Sequence, residues 1–481
     1  MASCKFLFIY PDINEFSHAY DGNNGCYYYG IAQLSSVLKR VGVETGLLHY
    51  TLRPAKEKFL NDIDNFTPDI IGFSSTTMMI ADVYEWVRWI RESGRHSPLV
   101  LGGSHATLDY KRVAADGLFD VIFIGESEES IVEYCQHYRE RPTNILGTVV
   151  KGDNDYIFNP ARVLEQNLDR YPFPDWTLFD YESLYDMKTH KRGILMAARG
   201  CPYRCSFCSN DRYADLYRNK GKILRIKTVD YVIREAKAMK IQYPAINYFQ
   251  FVEDTVGFDR IWLKEFSERW PREVGMDFYA NLNVNVCNDD TIKLLALAGC
   301  RRLQIGVETG NESRRKEILK KPVLNKTIEA VVKECHKHDI DVNSLNMIGL
   351  PFESEENILE TIHFNARLKP KLLQCTIFYP FPHTSLYDYC VEHKLISESN
   401  LSRTDYFRES ILENPKISQE ALYFFRDNFK TLIKIYRYVN IDWLIRLVGY
   451  KRAGKIIRLF RTRSELKKWL YQPRKKLLKY V

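Results

Sequence analysis

Short apolar runs alternate with helix-period stretches along most of this 481-residue chain, and that rhythm limits the fold more than any other feature. Lys5–Tyr10, Asp69–Ser74, Pro98–Gly102 and Val121–Gly125 read as strands. Between them, Ile31, Leu34, Leu38 and Val41 recur at helical spacing within Gly30–Val41, as do Val83, Val87 and Ile90 further on. A strand–helix rhythm of this kind predicts a parallel sheet covered on both faces, with ligands at the carboxyl ends of its strands. Three such ends carry suggestive loops: GFSSTT at 72–77, GGSHAT at 102–107 and IGESEES at 124–130. The rhythm returns over 193–390, with strands expected at Ile194–Ala198, Ile246–Val252, Phe278–Leu282, Leu303–Val307, Val342–Ile348 and Leu373–Tyr379. Six such units fit an incomplete parallel barrel.

The expected organisation is α/β: a Rossmann-like, flavodoxin-like domain over 1–140, a connector over 141–192, a partial (β/α)6 barrel over 193–390 and a helical region over 391–481. Within the connector, GTVVKGDNDYIFNP (147–160) predicts a hairpin turning at Gly152–Asn154, and NLDRYPFPDW (167–176) an irregular stretch. In the last region Leu422, Phe425, Phe429, Leu432, Tyr436 and Val439 make an amphipathic stripe.

Composition excludes several classes. Hydrophobic residues at 45% and charged residues at 27% are ordinary for a globular protein, not a disordered or fibrous one. No apolar run approaches the ~18 residues of a membrane span, and the short run near the start is broken by Pro11 and Asp12, so a cytoplasmic chain with reduced thiols is expected. The net charge is +8, yet residues 426–481 hold 17 Lys/Arg against 3 Asp/Glu, a local +14 that leaves the rest of the chain at −6. A basic tail on a slightly acidic body argues against general DNA binding.

The sharpest motif is ARGCPYRCSFCSN at 198–210, in which Cys201, Cys205 and Cys208 form C-x3-C-x2-C just after a predicted strand. Three thiolates on one short loop can hold three irons of a cubane and leave the fourth open, whereas structural zinc usually takes four ligands. At these residues the chain resembles the radical S-adenosylmethionine (SAM) superfamily. The resemblance implies a [4Fe-4S] cluster on the three cysteines, SAM chelated to the open iron, and Phe207 beside adenine. It also makes Glu253 and Asp254 of FVEDTVGF (251–258) the acidic pair that fixes the SAM ammonium; a helix cap at Asp254 is the plainer alternative. Within LAGCRRLQIGVETG (297–310), Glu308 would reach the ribose or sulfonium region, and NMIGLPFES (346–354) would turn near adenine. Asn281, Asn283 and Asn285 share a strand face, and Asn283 is taken as the SAM or substrate contact. YPFPHTSLY (379–387) resembles the segment that closes the barrel.

The first half resembles the cobalamin-binding domain that precedes the barrel in one class of this superfamily, with a cofactor-free flavodoxin-like domain as the alternative. The resemblance implies cobalamin contacts from Ser74, Ser75, Thr76 and Thr77, from Gly102, Gly103, Ser104 and His105, and from Gly125 and Glu126. The D-x-H-x-x-G signature of a cobalt-ligating histidine is absent, so His105 would line the tail pocket or be structural. His18 is placed no further than the neighbourhood of the upper corrin face. Cys4, Cys26, Cys135, Cys287, Cys300, Cys335, Cys375 and Cys390 read as small hydrophobes, with no second cluster.

The family chemistry implied is reductive cleavage of SAM to a 5′-deoxyadenosyl radical, which attacks an unactivated carbon. Methyl transfer through methylcobalamin is the leading reading, a ring-forming or rearranging reaction the second, and a sensor without turnover the remote third. A low-potential donor of flavodoxin or ferredoxin type is implied. Over 440–481, Lys and Arg interleave with Trp443, Leu447, Ile456, Leu459, Phe460, Trp469 and Leu470. That pattern suits peripheral membrane contact and a lipid-like or hydrophobic natural-product substrate, against a helical cap on the barrel or single-stranded RNA.

Overall fold

The computed structural model describes residues 4–13, 25–287, 290–396 and 409–458. The chain divides into two compact units, 1–254 with 264–279 and 381–385, and 255–263 with 280–380 and 386–481.

The first unit opens with a seven-stranded sheet: β1 (Lys5–Pro11), β2 (Glu44–Tyr50), β3 (Ile70–Ser74), β4 (Leu99–Gly102), β5 (Val121–Phe123), β6 (Thr148–Lys151) and β7 (Tyr156–Phe158), in the order β2-β1-β3-β4-β5-β6-β7. The order 2-1-3-4-5 is the flavodoxin-like one, with its switch point between β1 and β3. Alternation along the strands divides the residues between two faces. Leu7, Ile9, Ile71, Phe73, Leu99 and Leu101 enter one buried cluster with Phe59, Trp86, Val87 and Ile90 from the helices Lys56–Phe66 and Ile80–Glu92. Phe6, Phe8, Gly72 and Val100 face the other way, where they line a cavity.

Two expectations need correction. The sheet is mixed, because β5 pairs β6 and β6 pairs β7 antiparallel; the hairpin predicted inside the connector is therefore part of the sheet. Edge strand β2 had no counterpart in the sequence reading. It pairs β1 from Lys5↔Glu44 to Pro11↔Tyr50 and is half-exposed, so its alternation is muted.

All six strands expected over 193–390 form, as β8 (Arg192–Leu195), β11 (Tyr248–Phe251), β12 (Phe278–Leu282), β13 (Cys300–Glu308), β14 (Asp341–Ile348) and β15 (Leu372–Ile377), in the order β15-β14-β13-β12-β11-β8. The predicted strand Ile194–Ala198 is cut in two. Its end belongs to β9 (Ala198–Arg199), which pairs antiparallel with β10 (Arg225–Ile226).

In the second unit β13 and β14 pair in parallel, as do β14 and β15. The helix Gln419–Tyr436 buries Leu422, Phe425, Phe429 and Leu432, the predicted stripe, in one cluster with Ile358, Ile362, Ile348 and Ile377. Ile441, Leu444, Ile445 and Ala453 from the helical segment Asp442–Arg458 join them, so this part of the basic region caps the barrel. Trp443 and Leu447 remain exposed. Leu459, Phe460, Trp469 and Leu470 lie outside the described residues, as does His18. Among the described residues no helix is long and apolar enough to cross a membrane.

Candidate cofactor sites

The cysteine loop begins where β9 ends. Gly200 turns the chain at φ +82°, and a Cβ there would meet the Ile223 carbonyl oxygen at 2.2 Å. Only glycine tolerates that approach. Cys201, Cys205, Cys208 and Phe207 are all half-buried. The Cys208 N–H donates to the Cys205 carbonyl at 3.0 Å. Cys208 then sits at the N-cap of the helix Ser209–Leu216, where the helix dipole favours a thiolate. Arg204 pins the loop through Asp211 at 2.7 Å and Asp215 at 2.8 Å. Among the described residues no three His, Cys, Asp or Glu converge on a single metal ion. A cubane makes a different demand, since each thiolate takes its own iron, and three half-buried cysteines on a short, braced loop suit it.

Beyond β11, Glu253 is buried and its carboxylate accepts the Ala197 N–H at 3.3 Å. Burial pushes its pKa up to about 8, a state that an incoming ammonium would reverse. Asp254 is exposed and accepts a hydrogen bond from the Asn210 amide at 3.0 Å; the same amide lies 3.6 Å from the Cys208 sulfur. Asn210 therefore links a cluster cysteine to the acidic pair.

A cavity of about 370 Å³ lies within the first unit. It is lined by Ser74, Gly102, Gly103, Ser104, Gly125 and Glu126 at the strand ends and by Met196, Ala198–Gly200, Glu253 and Asp254. Aromatic side chains of Phe6, Phe8, Tyr28, Tyr29, Phe123 and Tyr213 complete it. Gly103, at φ +97° and ψ −176°, holds a conformation essentially reserved for glycine, and a Cβ would strike the Ser75 carbonyl oxygen at 2.6 Å. A Cβ on Gly102 would meet nothing nearer than 4.0 Å and would project beside the cavity. A glycine-floored, aromatic slot at the carboxyl ends of a flavodoxin-like sheet fits a flat heteroaromatic group with a phosphate tail.

Four of the expected residues, Ser75, Thr76, Thr77 and His105, do not line this cavity. The Ser75 hydroxyl donates to the Thr76 carbonyl at 2.7 Å, and neither residue lines the wall. His105 is buried, with Nδ1 3.3 Å from the Thr77 hydroxyl. Glu126 borders the cavity, but its carboxylate is occupied by Arg225 and Arg199. Burial opposes the Glu126 charge, but these guanidinium groups hold its pKa below the ordinary glutamate value.

In the second unit, Glu308 ends β13 at φ +60°, an uncommon conformation for a non-glycine residue and one that often marks a functional site. Its carboxylate is buried 2.9 Å from the Lys321 ammonium, which also donates to the Gly306 carbonyl at 2.7 Å. The Asn283 side chain accepts from the Asn285 N–H at 3.0 Å as a turn cap, and Asn281 accepts from Gln304 at 2.9 Å. Both amide oxygens therefore already have local partners. Sequence reasoning missed Lys321, Arg225 and Tyr217, whose hydroxyl accepts the Glu126 N–H; it contained Arg199 and Asn210 inside the quoted cysteine motif without assigning them.

Comparison with known proteins agrees with this arrangement. Residues 196–364 match the radical SAM superfamily and residues 24–134 the B12 binding domain. An uncharacterized methyltransferase of Pyrococcus horikoshii is 28% identical over 344 residues, covering 70% of this chain and 72% of its own. The cytidylyl-2-hydroxyethylphosphonate methyltransferase of Streptomyces wedmorensis is 23% identical over 399 residues, covering 72% and 73%. The radical SAM methyltransferase TsrM of Kitasatospora setae shares the fold at a TM-score of 0.65 and 18% identity, over 81% of this chain and 76% of its own. A B12 binding domain followed by a radical SAM domain, with the cysteine motif and the glycine-floored cavity in place, makes the chain a member of the cobalamin-dependent radical SAM family.

Proposed function

We propose that this protein methylates an unactivated carbon of a small hydrophobic molecule. The observation that carries the reading is the shared wall: one cavity is bounded by the strand ends of the B12 binding domain and by the segments that flank the cysteine loop and carry the acidic pair. When bound, the cluster supplies the electron that splits SAM to a 5′-deoxyadenosyl radical, and cobalamin supplies the methyl group. Cys201, Cys205 and Cys208 hold the cluster. Glu253 stays neutral in its buried site until a cationic amino group arrives, and then binds it as the carboxylate. Glu308, oriented by its ion pair with Lys321, offers its remaining lone pairs to ribose hydroxyls. Gly102 and Gly103 let the backbone approach cobalamin, and the aromatic walls keep water from the radical.

The same reading assigns cobalamin binding to 1–140, a connector to 141–192, SAM chemistry to 193–390 and accessory helices to 391–481, in a cytoplasmic protein served by a low-potential donor. Trp443 and Leu447 are exposed one turn apart beside Arg446 and Lys451, a pattern that supports contact with an anionic membrane and a lipid-like substrate. Anaerobically reconstituted protein, given SAM, a low-potential reductant and candidate hydrophobic acceptors, is expected to release 5′-deoxyadenosine together with S-adenosylhomocysteine. The first product without the second would replace methyl transfer with a ring-forming or rearranging reaction. Neither product from protein with an intact cluster would make it a sensor.

A further inference from the structure

Four charged side chains lock the loop after β5 to the strands that flank the cysteine loop. Arg225 reaches both Glu126 oxygens, at 2.5 and 2.9 Å. Arg199 donates to Glu126 at 3.2 Å and to Glu128 at 2.6 Å. The two arginines are themselves paired across β9 and β10. Arg225, Glu128 and Arg199 are only 3%, 7% and 13% exposed, so nearly the whole quartet is withdrawn from water. The Glu126 N–H donates to the Tyr217 hydroxyl at 2.6 Å, and a Cβ on Gly125 would lie 1.8 Å from that hydroxyl, so only glycine lets the two approach this closely. Two cations balance two anions, and a buried set of this kind is tolerable only when complete.

The position of the quartet gives it a use. Glu126 borders the cavity, and Arg199, two residues before Cys201, borders the same cavity. A shift of either loop must be felt by the other, through the single Arg199–Glu126 bond and through the bidentate Arg225–Glu126 pair, whose strand is bonded to that of Arg199 and whose fork adds geometric specificity. We propose that Glu126, Glu128, Arg199 and Arg225 form a positioning clamp that couples the two cofactor sites, so that a loaded cluster loop tightens the hold on cobalamin and the reverse. The clamp rests on the function proposed above.

Energetic coupling of this kind is reciprocal and commonly changes affinity 5- to 150-fold. The test measures cobalamin affinity by spectral titration in the cluster-loaded protein and in the Cys201→Ala/Cys205→Ala/Cys208→Ala protein, each with Glu126 intact and with Glu126→Gln. With Glu126 intact, loss of the cluster is expected to weaken cobalamin binding about tenfold. With Glu126→Gln that ratio falls to near one. A merely structural Glu126 would weaken both forms alike and leave the ratio unchanged, which overturns the clamp. Arg225→Lys keeps the charge but loses the fork, so an intermediate ratio is expected; it serves as the second variant should Glu126→Gln fail to fold, and an unchanged ratio there is equally adverse. Protein with intact cysteines that takes up cluster but no cobalamin would overturn the proposed function, and the clamp with it.

Discussion

The Lys227 ammonium lies 2.8 Å from the Glu235 carboxylate, with side chains 4% and 1% exposed. The Tyr29 hydroxyl, from the first helix of the B12 binding domain, accepts from Lys227 at 2.7 Å and donates to Glu235 at 3.0 Å. Burial pulls the Lys227 pKa down while Glu235 opposes the fall. Removing one partner strands the other charge. Lys227→Met is therefore expected to cost about 3–5 kcal/mol, and Lys227→Met/Glu235→Leu to recover most of it. Chemical unfolding midpoints decide; a single variant as stable as the parent would show the pair to be dispensable.

His105 sets an acid limit. Burial lowers its pKa to about 4 from the ordinary 6.5, more strongly than Asp109 can raise it. The unfolded chain takes up a proton near 6.5 that the folded chain refuses until about 4. Stability is thus full above that window and falls as pH drops through it. His105→Gln is expected to flatten this part of the stability–pH profile, measured by thermal unfolding from pH 7.5 to 4.5.

Two adjacent glycines separate folding from ligand binding. Gly103→Ala forces a side chain into a glycine-only conformation against Ser75, and should cost about 1–3 kcal/mol of stability. Gly102→Ala meets only the Phe123 Cβ, at an ordinary 4.0 Å, and should leave the unfolding midpoint in place while reducing cobalamin uptake. Unfolding and spectral titration of both variants check the contrast.

Asn210 joins the Cys208 sulfur to Asp254. An N–H directed at a cluster sulfur makes the cluster easier to reduce. Asn210→Leu is expected to shift the cluster midpoint potential to more negative values, followed by electron paramagnetic resonance, and to weaken SAM binding severalfold.

The sequence exposed the strand–helix rhythm because core-facing apolar residues recur along each strand: β12 appears where Phe278–Leu282 predicted it, with Phe278, Ala280 and Leu282 buried. It concealed β2, whose half-exposed residues lack a clean alternation. It also placed the β6–β7 hairpin in a connector, because pairing with β5 is a tertiary fact with no local signal. The cysteines were legible because metal chemistry dictates their spacing. Lys321, Arg225 and Tyr217 were not, since a lone charged or aromatic residue reads the same on a solvated face as in a buried pair. Ser75 and Thr76 follow β3 and His105 lies in the short helix after β4, yet none of them lines the cavity, because a residue string does not say which way a side chain turns.

The central claim is that the loop over 201–208 holds a four-iron cluster with one iron left for SAM. Electron paramagnetic resonance of the anaerobically reconstituted, reduced protein with and without SAM tests it most directly. A four-iron signal whose g-values move when SAM is added, and which is lost in Cys205→Ala, is the predicted result. Bound zinc, or a cluster signal indifferent to SAM, would contradict it.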